Sequence, residues 1–380
     1  MVACVHVPVT LPQNGEPTKT ILSAIIGTFI KGWSVIDPEA LTTRHGAGHT
    51  DAHCFVERPE IPHGASTREP SKVFIKFHKG GDPGVEAFKH LVPTKSAEAE
   101  FSRRFGQTGY GPRVIGFFQT VDGTRGRIDQ LVAGRRLKSE DAEVEDIRAD
   151  IAKAHAVLHA LHGTGLPGNS VDAYYEAVIG GLKKYRGMEK LKRLAREGGV
   201  VIDELVDYDF ASKIAQVVAR MRSIRAKEGW CVHDVQFGNV IVRDRPEETG
   251  STIALIDFEF VFRNYRAFDI GGHWFQKMFR WDDEASKIVN CRPFTDEEKR
   301  HFCQVYAQKW NEVTGDCDTA EQVFAEASLG YALALSFDIH FMLMAMDEDD
   351  NRDPLDALGL KRLFDEFVKQ YAWLGFETHG

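Results

Sequence analysis

An α+β fold in two lobes, the first rich in strands and the second mainly helical, is predicted by three observations. Residues 40–133 mix short apolar runs with glycines and turns. From Gly134 onward the apolar residues recur at helical spacing. Inside that helical half sits one hairpin signature: the apolar run 240–242, a turn over 245–250, and a returning run 252–256. The boundary between lobes falls near Ala133 and Gly134, giving units 1–133 and 134–380.

The elements follow in order. Residues 21–30 read as an amphipathic helix ending near Lys31 and Gly32, too short to span a bilayer. Residues 55–56 and 73–77 read as strands, with a loop rich in Pro, Gly and charge between them. Residues 96–105 read as a helix capped by Ser96, with Glu98 in its first turn, and Gly109 to Pro112 ends it. Two more strands are expected at 114–118 and 126–132. In the second lobe Ile147, Ile151, Ala154, Leu158 and Leu161 mark one helix. An apolar helix spans 323–346, its Met342, Met344 and Met346 reading as core. Leu360, Leu363, Phe364, Phe367, Tyr371 and Leu374 mark the last helix.

The 380 residues suffice for roughly two units of ~150 residues. Hydrophobic content of 43% and charged content of 27% are ordinary for a globular chain. The net charge of -9, without a clustered basic face, argues against a nucleic-acid partner. Six cysteines lack CxxC or zinc-ligand spacing and read as free thiols in a reducing, cytoplasmic setting. Residues 1–10 carry no basic segment of a secretory signal, and no membrane span is expected.

The chemistry concentrates in Trp230-Cys231-Val232-His233-Asp234-Val235-Gln236-Phe237-Gly238-Asn239, followed by Ala254-Leu255-Ile256-Asp257-Phe258-Glu259. Asp234 and Asn239 are spaced D-x4-N, and the hairpin brings Asn239 beside Asp257. Phosphoryl transfer needs that set. One carboxylate orients the attacking hydroxyl and takes its proton, while an amide and a second carboxylate hold magnesium against the phosphates.

The chain resembles the choline/ethanolamine kinase family, within the aminoglycoside-phosphotransferase-like group with its bilobal protein-kinase-like fold. The motifs that carry the resemblance are His233-Asp234-Val235-Gln236-Phe237-Gly238-Asn239, Ile256-Asp257-Phe258-Glu259-Phe260, and Asn264-Tyr265-Arg266-Ala267-Phe268-Asp269-Ile270-Gly271. Gly111-Pro112-Arg113 and Gly126-Arg127-Ile128-Asp129-Gln130-Leu131, followed by Gly134-Arg135-Arg136-Leu137, match as well. The resemblance implies an ATP- and magnesium-dependent kinase. Asp234 is then the catalytic base, and Asn239 and Asp257 are the metal ligands. Glu259 reaches a second magnesium or is structural. Lys76 would meet the phosphates with Glu98 as its helix partner, Glu100 being the rival. Gly48 and Thr50, within His45-Gly46-Ala47-Gly48-His49-Thr50-Asp51, would cover the phosphates, although Asp51 departs from the family pattern. Adenine would bond the backbone of Gln130 and Val132, and Asp269 would brace the catalytic loop. Family members are often dimers, so a homodimer is among the expected assemblies.

The resemblance weakens at the acceptor pocket. Phe260, Trp274, Phe275, Phe279, Trp281 and Tyr331 are candidate aromatic walls. Gln276 stands where the family has a carboxylate, and His340 and Leu343 stand about where it has tryptophans. Asp338, on an apolar helix, either replaces the missing carboxylate or pairs with His340 or a neighbouring helix. The acceptor set on these grounds is choline, ethanolamine or a related amino alcohol. The alternatives are another hydroxylated amine, an aminoglycoside-like compound, or a non-catalytic pseudokinase. The short interval from Asp257 to Asp269-Ile270-Gly271 leaves no room for a protein-kinase activation loop.

Overall fold

The computed structural model describes residues 3–12, 15–47, 51–59, 69–78, 90–163, 166 and 171–376, with the backbone alone at residues 47 and 51. The first lobe is built on a six-stranded sheet, ordered β1-β5-β6-β4-β3-β2. Its strands are β1 (Cys4–His6), β2 (Thr42–Ala47), β3 (Asp51–Glu57), β4 (Lys72–His78), β5 (Val114–Gln119) and β6 (Arg125–Gln130). Two strands were not expected from the sequence: β2, whose residues 45–47 were read as part of the phosphate-covering loop, and β1. It is three residues long, and its one pairing is the parallel ladder Cys4–Phe117 to His6–Gln119.

Side-chain alternation decides what β4 does. Val73, Ile75 and Phe77 point into a core with Cys54, Val56, Phe118 and Ile128, roofed by Leu22, Ile25 and Ile26 of α1 (Lys19–Phe29) and by Trp33. Lys76 is out of phase with that set. It emerges on the opposite face, where its ammonium reaches the second lobe. The helix α2 (Lys95–Gly106) begins one residue before the expected start. Thr94, not Ser96, is the cap, and its hydroxyl accepts from the Ala97 N–H.

The second lobe carries the strands β7 (Gly134–Arg136), β8 (Glu228–Cys231), β9 (Val240–Arg243), β10 (Ile253–Leu255) and β11 (Phe262–Tyr265). Their ladders are β10-β9-β7 and β11-β8. The helices are α3 (Glu145–His159), α4 (Val171–Tyr185), α5 (Glu189–Glu197), α6 (Asp203–Asp207), α7 (Phe210–Ser223), α8 (Ala267–Gln276), α9 (Asp296–Thr314), α10 (Ala320–Glu348) and α11 (Pro354–Trp373).

Every residue of α8 is buried. It crosses α10 at glycines. A Cβ on Gly330 would lie 1.9 Å from the Ala267 carbonyl, and one on Gly271 would lie 2.2 Å from the Tyr331 nitrogen. Two helix backbones therefore touch, and no side chain fits between them. By length and apolarity α10 could cross a membrane, but 78% of its most apolar stretch is buried, and it packs against α8, α9 and α11 as the core helix of this lobe.

Candidate active site

The loop between β8 and β9 holds Asp234 and Asn239. Its path is fixed from below by Asp269, the third residue of α8. Both oxygens of Asp269 are filled: Oδ2 accepts from the Val232 N–H (2.8 Å) and the His159 imidazole (3.2 Å), and Oδ1 accepts from the His233 N–H (3.1 Å). His233 itself sits in the left-handed region, at φ 62°. Its ring is locked in turn. Nδ1–H donates to the Phe260 carbonyl (2.9 Å), Nε2 accepts from the Asn264 amide (3.0 Å), and the ring stacks on Phe262 at 3.6 Å. Burial holds the His233 imidazole neutral, with its pKa down at about 4.

Asn239 and Asp257 come together through the hairpin. The register Val240–Leu255 and Ile241–Ala254 places the strand ends side by side, and the Ile256 N–H donates to the Asn239 carbonyl (3.0 Å). Asp257 follows at φ 65°, a second left-handed non-glycine. The Asn239 amide donates to the Asp234 main-chain carbonyl (3.1 Å) and to its Oδ2 (2.8 Å), and Gln236 donates to the same Oδ2 (2.9 Å). The donors of Asn239 thus turn inward, and among the described residues no donor reaches its Oδ1. Burial and the charge of Asp257 raise the Asp234 pKa, against the bonds from Gln236 and Asn239. A carboxylate made more basic by its surroundings suits proton acceptance.

Across the lobe junction, the Lys76 ammonium lies 3.0 Å from Asp257 Oδ1 and 3.4 Å from Glu259 Oε2. Lys95 lies 3.7 Å from Glu259 and 3.2 Å from Glu98. Burial, with the charge of Asp257, lifts Glu259 to about 7 against the pull of Lys76. Glu98 accepts from Arg127 (3.2 Å), a buried cation that also donates to Ser102 and Asp129. Burial alone would raise the Glu98 pKa, but the charges of Lys76, Lys95 and Arg127 hold it at about 2. Between the two expected partners of Lys76, Glu98 faces this network, whereas Glu100 accepts from Arg103 and Arg104 of its own helix. Arg127 and Lys95 were missed by sequence reasoning. The signal for Arg127 was its i, i+2 spacing to Asp129 on one strand face.

Asn239 Oδ1 and the Asp257 carboxylate form an all-oxygen pair of ligand atoms, the donor type that magnesium prefers. The expected phosphate-covering residues Gly48 and Thr50 lie outside the described residues. The strands on either side of them pair up to Ala47 and Ala52. At the expected adenine site the Gln130 N–H is taken by the Arg113 carbonyl (2.9 Å), so a base can use only the Gln130 carbonyl there. Among the described residues no acceptor takes the Val132 N–H.

In the expected acceptor pocket, Asp338 is bonded by Gln276 (Nε2 to Oδ2, 2.7 Å), and Gln276 in turn accepts from the Trp281 indole (2.9 Å). Asp338 therefore pairs with the neighbouring helix α8 and not with His340. Burial, and then the nearby charge of Asp234, push the Asp338 pKa well above the usual carboxylate range. The role expected for His340 is corrected. Two residues past Asp338, it points roughly 200° away around the helix. Its ring packs on Gly181 and lies 6.0 Å from Tyr185 of α4. Trp281 likewise stands behind Gln276, stacked on Phe279 at 4.8 Å. Phe260 lies edge-on to Phe341 at 6.2 Å. Phe341, three residues from Asp338 and on its face, was not anticipated.

The N-Y-R-x-F-D-I-G run proves to be scaffold. Asn264 holds His233, and Asp269 holds the loop. Arg266, fully buried, lies 2.6 Å from Asp318 and 3.0 Å from Glu326. Gly271 is the helix crossing.

A family model described as choline/ethanolamine kinase matches residues 50–354. Choline kinase alpha from Mus musculus is 28% identical over 201 residues, covering 52% of this chain and 42% of its own length. A choline/ethanolamine kinase from Homo sapiens is 25% identical over 279 residues, covering 72% of this chain and 65% of its own length. The aligned part of this chain thus spans less than two thirds of these relatives. Among solved structures, a choline kinase from Cryptosporidium parvum Iowa II superposes with a TM-score of 0.63 at 14% identity, covering 93% of this chain and 96% of that one. That superposition carries the fold, and the family match over most of the sequence carries the kinship: the chain belongs to the choline/ethanolamine kinase family.

Proposed function

We propose that this protein transfers the γ-phosphoryl group of ATP to the hydroxyl of a small amino alcohol. The observation that supports it most is the convergence of Asp234, Asn239, Asp257 and Lys76 from three separated segments onto one cleft. In this reading Asp234 orients the acceptor hydroxyl and takes its proton as the oxygen attacks phosphorus and the bond to the ADP oxygen breaks. Lys76 moves its charge from Asp257 toward the phosphates. Asn239 and Asp257 would hold magnesium, which would neutralise charge on the phosphates. Gln130 and Val132 receive the adenine.

The acceptor is read from Asp338. Its Oδ2 is fixed by Gln276, and burial disfavours its charge unless a cation stands beside it, so an ammonium is the partner that would let it ionise. Phe260 and Phe341 offer one aromatic corner, short of a full cage. An ammonium that donates hydrogen bonds, as in ethanolamine, fits Asp338 better than a quaternary ammonium, which cannot donate. The test is magnesium-dependent ATP consumption with ethanolamine, its N-methylated forms and choline. Turnover falling with each added methyl supports this acceptor. Turnover highest on choline overturns the ethanolamine preference. ATP binding without turnover on any amine overturns the catalytic reading.

A further inference from the structure

A second cavity, of about 280 Å³, opens at the start of α9, between α8, α10 and α11. Its walls are aromatic: Trp274, Phe294, Phe324, Tyr331 and the exposed rim residue Trp373. It shares no lining residue with the phosphoryl-transfer cluster. Trp274 lies two residues from Gln276 on α8, roughly 200° around the helix and so on the other side from Asp338.

Three cations face these rings: Lys277 lies 5.7 Å from Phe294, Arg300 lies 4.4 Å from Phe324, and Lys299 reaches two of them. Lys299 Nζ lies 5.6 Å from the Trp274 ring and 5.7 Å from that of Tyr331. Its acidic neighbour on the same helix, Asp296, is 3.8 Å away with a side chain 70% exposed, so solvent screens that pair. The other carboxylate in the wall, Glu366, is already met by Arg362 (3.1 Å), Lys369 (3.9 Å) and the Tyr331 hydroxyl (3.5 Å). Burial lowers the Lys299 pKa, and Lys369 adds to that, against Asp296 and Glu366. The lining thus sets Lys299 and Lys369 against Asp296 and Glu366 among aromatic walls, and the one carboxylate paired with Lys299 is the exposed Asp296. The Trp274 indole N–H, buried in the same wall, has no hydrogen-bond partner among the described residues. An anion beside Lys299 would supply the close partner that the solvent-screened Asp296 does not.

We propose that this cavity binds a small apolar carboxylate, with its body between Trp274, Phe324 and Tyr331 and its carboxylate on Lys299. An ammonium at Lys299, with Lys369 held at Glu366 and no arginine fork in the lining, suits a monoanion better than a phosphate. The volume lies just below the range of about 300–1,000 Å³ for drug-sized ligands, which favours a compact acid.

The experiment is calorimetric titration of the full chain with 3-phenylpropionate, 3-phenylpropan-1-ol and 3-phenylpropylamine under one set of conditions. Saturable binding of the acid, at least ten-fold tighter than the alcohol or the amine, is expected. Lys299→Met should bring the acid down to the level of the alcohol. Trp373→Ala, at an exposed rim position where folding is not at stake, should weaken acid and alcohol alike and so locate the site. No saturation with the acid, equal binding of the alcohol, preference for the amine, or acid binding untouched by both variants would each overturn the proposal.

Discussion

The Asn239 amide nitrogen lies 2.8 Å from Asp234 Oδ2, so the residue proposed to bind metal also orients the residue proposed to take the proton. The two ends of the D-x4-N motif act as one unit, and substituting either disturbs both tasks. Asp234→Asn keeps the shape and removes the base. It is expected to lower kcat by roughly 10²–10⁴-fold while nucleotide affinity stays near that of the parent. Steady-state kinetics together with a nucleotide-binding titration check this, and an active Asp234→Asn enzyme removes the base assignment.

Gln276 holds the Asp338 carboxyl that is proposed to pair with the substrate amine. Asp338→Asn should raise KM for the amino alcohol while KM for ATP holds. Loss of one charge-assisted bond, about 1.5–3 kcal/mol, corresponds to roughly ten- to a hundred-fold. Gln276→Leu should show a smaller rise in the same direction, because Gln276 acts through Asp338. A change confined to the ATP constant contradicts this placement.

The crossing of α8 and α10 leaves no room for a methyl group. Gly330→Ala forces a Cβ against the Ala267 carbonyl and should destabilise the fold by ~1–3 kcal/mol. Because α10 carries Asp338 past Gln276, the same change should also weaken acceptor binding. Urea unfolding and amino-alcohol KM are the two readouts. Unchanged stability would mean that the helices can part without cost.

Buried histidines predict acid sensitivity. Burial lowers the pKa of both His233 and His273 from 6.5 to about 4. Between those values the unfolded chain binds protons that the folded chain refuses. The stability these residues contribute is therefore complete above pH 6.5 and is lost as pH falls toward 4, on the order of 3 kcal/mol for each. Urea unfolding at pH 7, 6 and 5 measures the slope. In His273→Phe the slope should shrink by about one proton, and an unchanged slope excludes His273 as a contributor.

Much of this protein follows from local pattern. The hairpin register that joins Asn239 to Asp257 was legible because strand alternation and turn chemistry act over a few residues. Three helices of the second lobe, α3, α10 and α11, and the α+β division were legible for the same reason, whereas α4 to α9 were not marked. The family motifs added the residues that the hairpin presents.

Only the tertiary structure decided which long-range partners meet. Arg127 joins Glu98 from β6, and Lys95, on the helix of Glu98, reaches Glu259 of the second lobe. Asn264 holds the His233 ring of the catalytic loop. The choice between Asp338 and His340 depends on which face of α10 turns toward α8, and that is set by two glycines, Gly271 and Gly330, letting backbones touch. Periodicity shows that a helix has faces. The rotation that aims one of them is fixed by packing between segments some 60 residues apart in the chain, such as Gln276 and Asp338 at a separation of 62, and so it lies beyond local sequence.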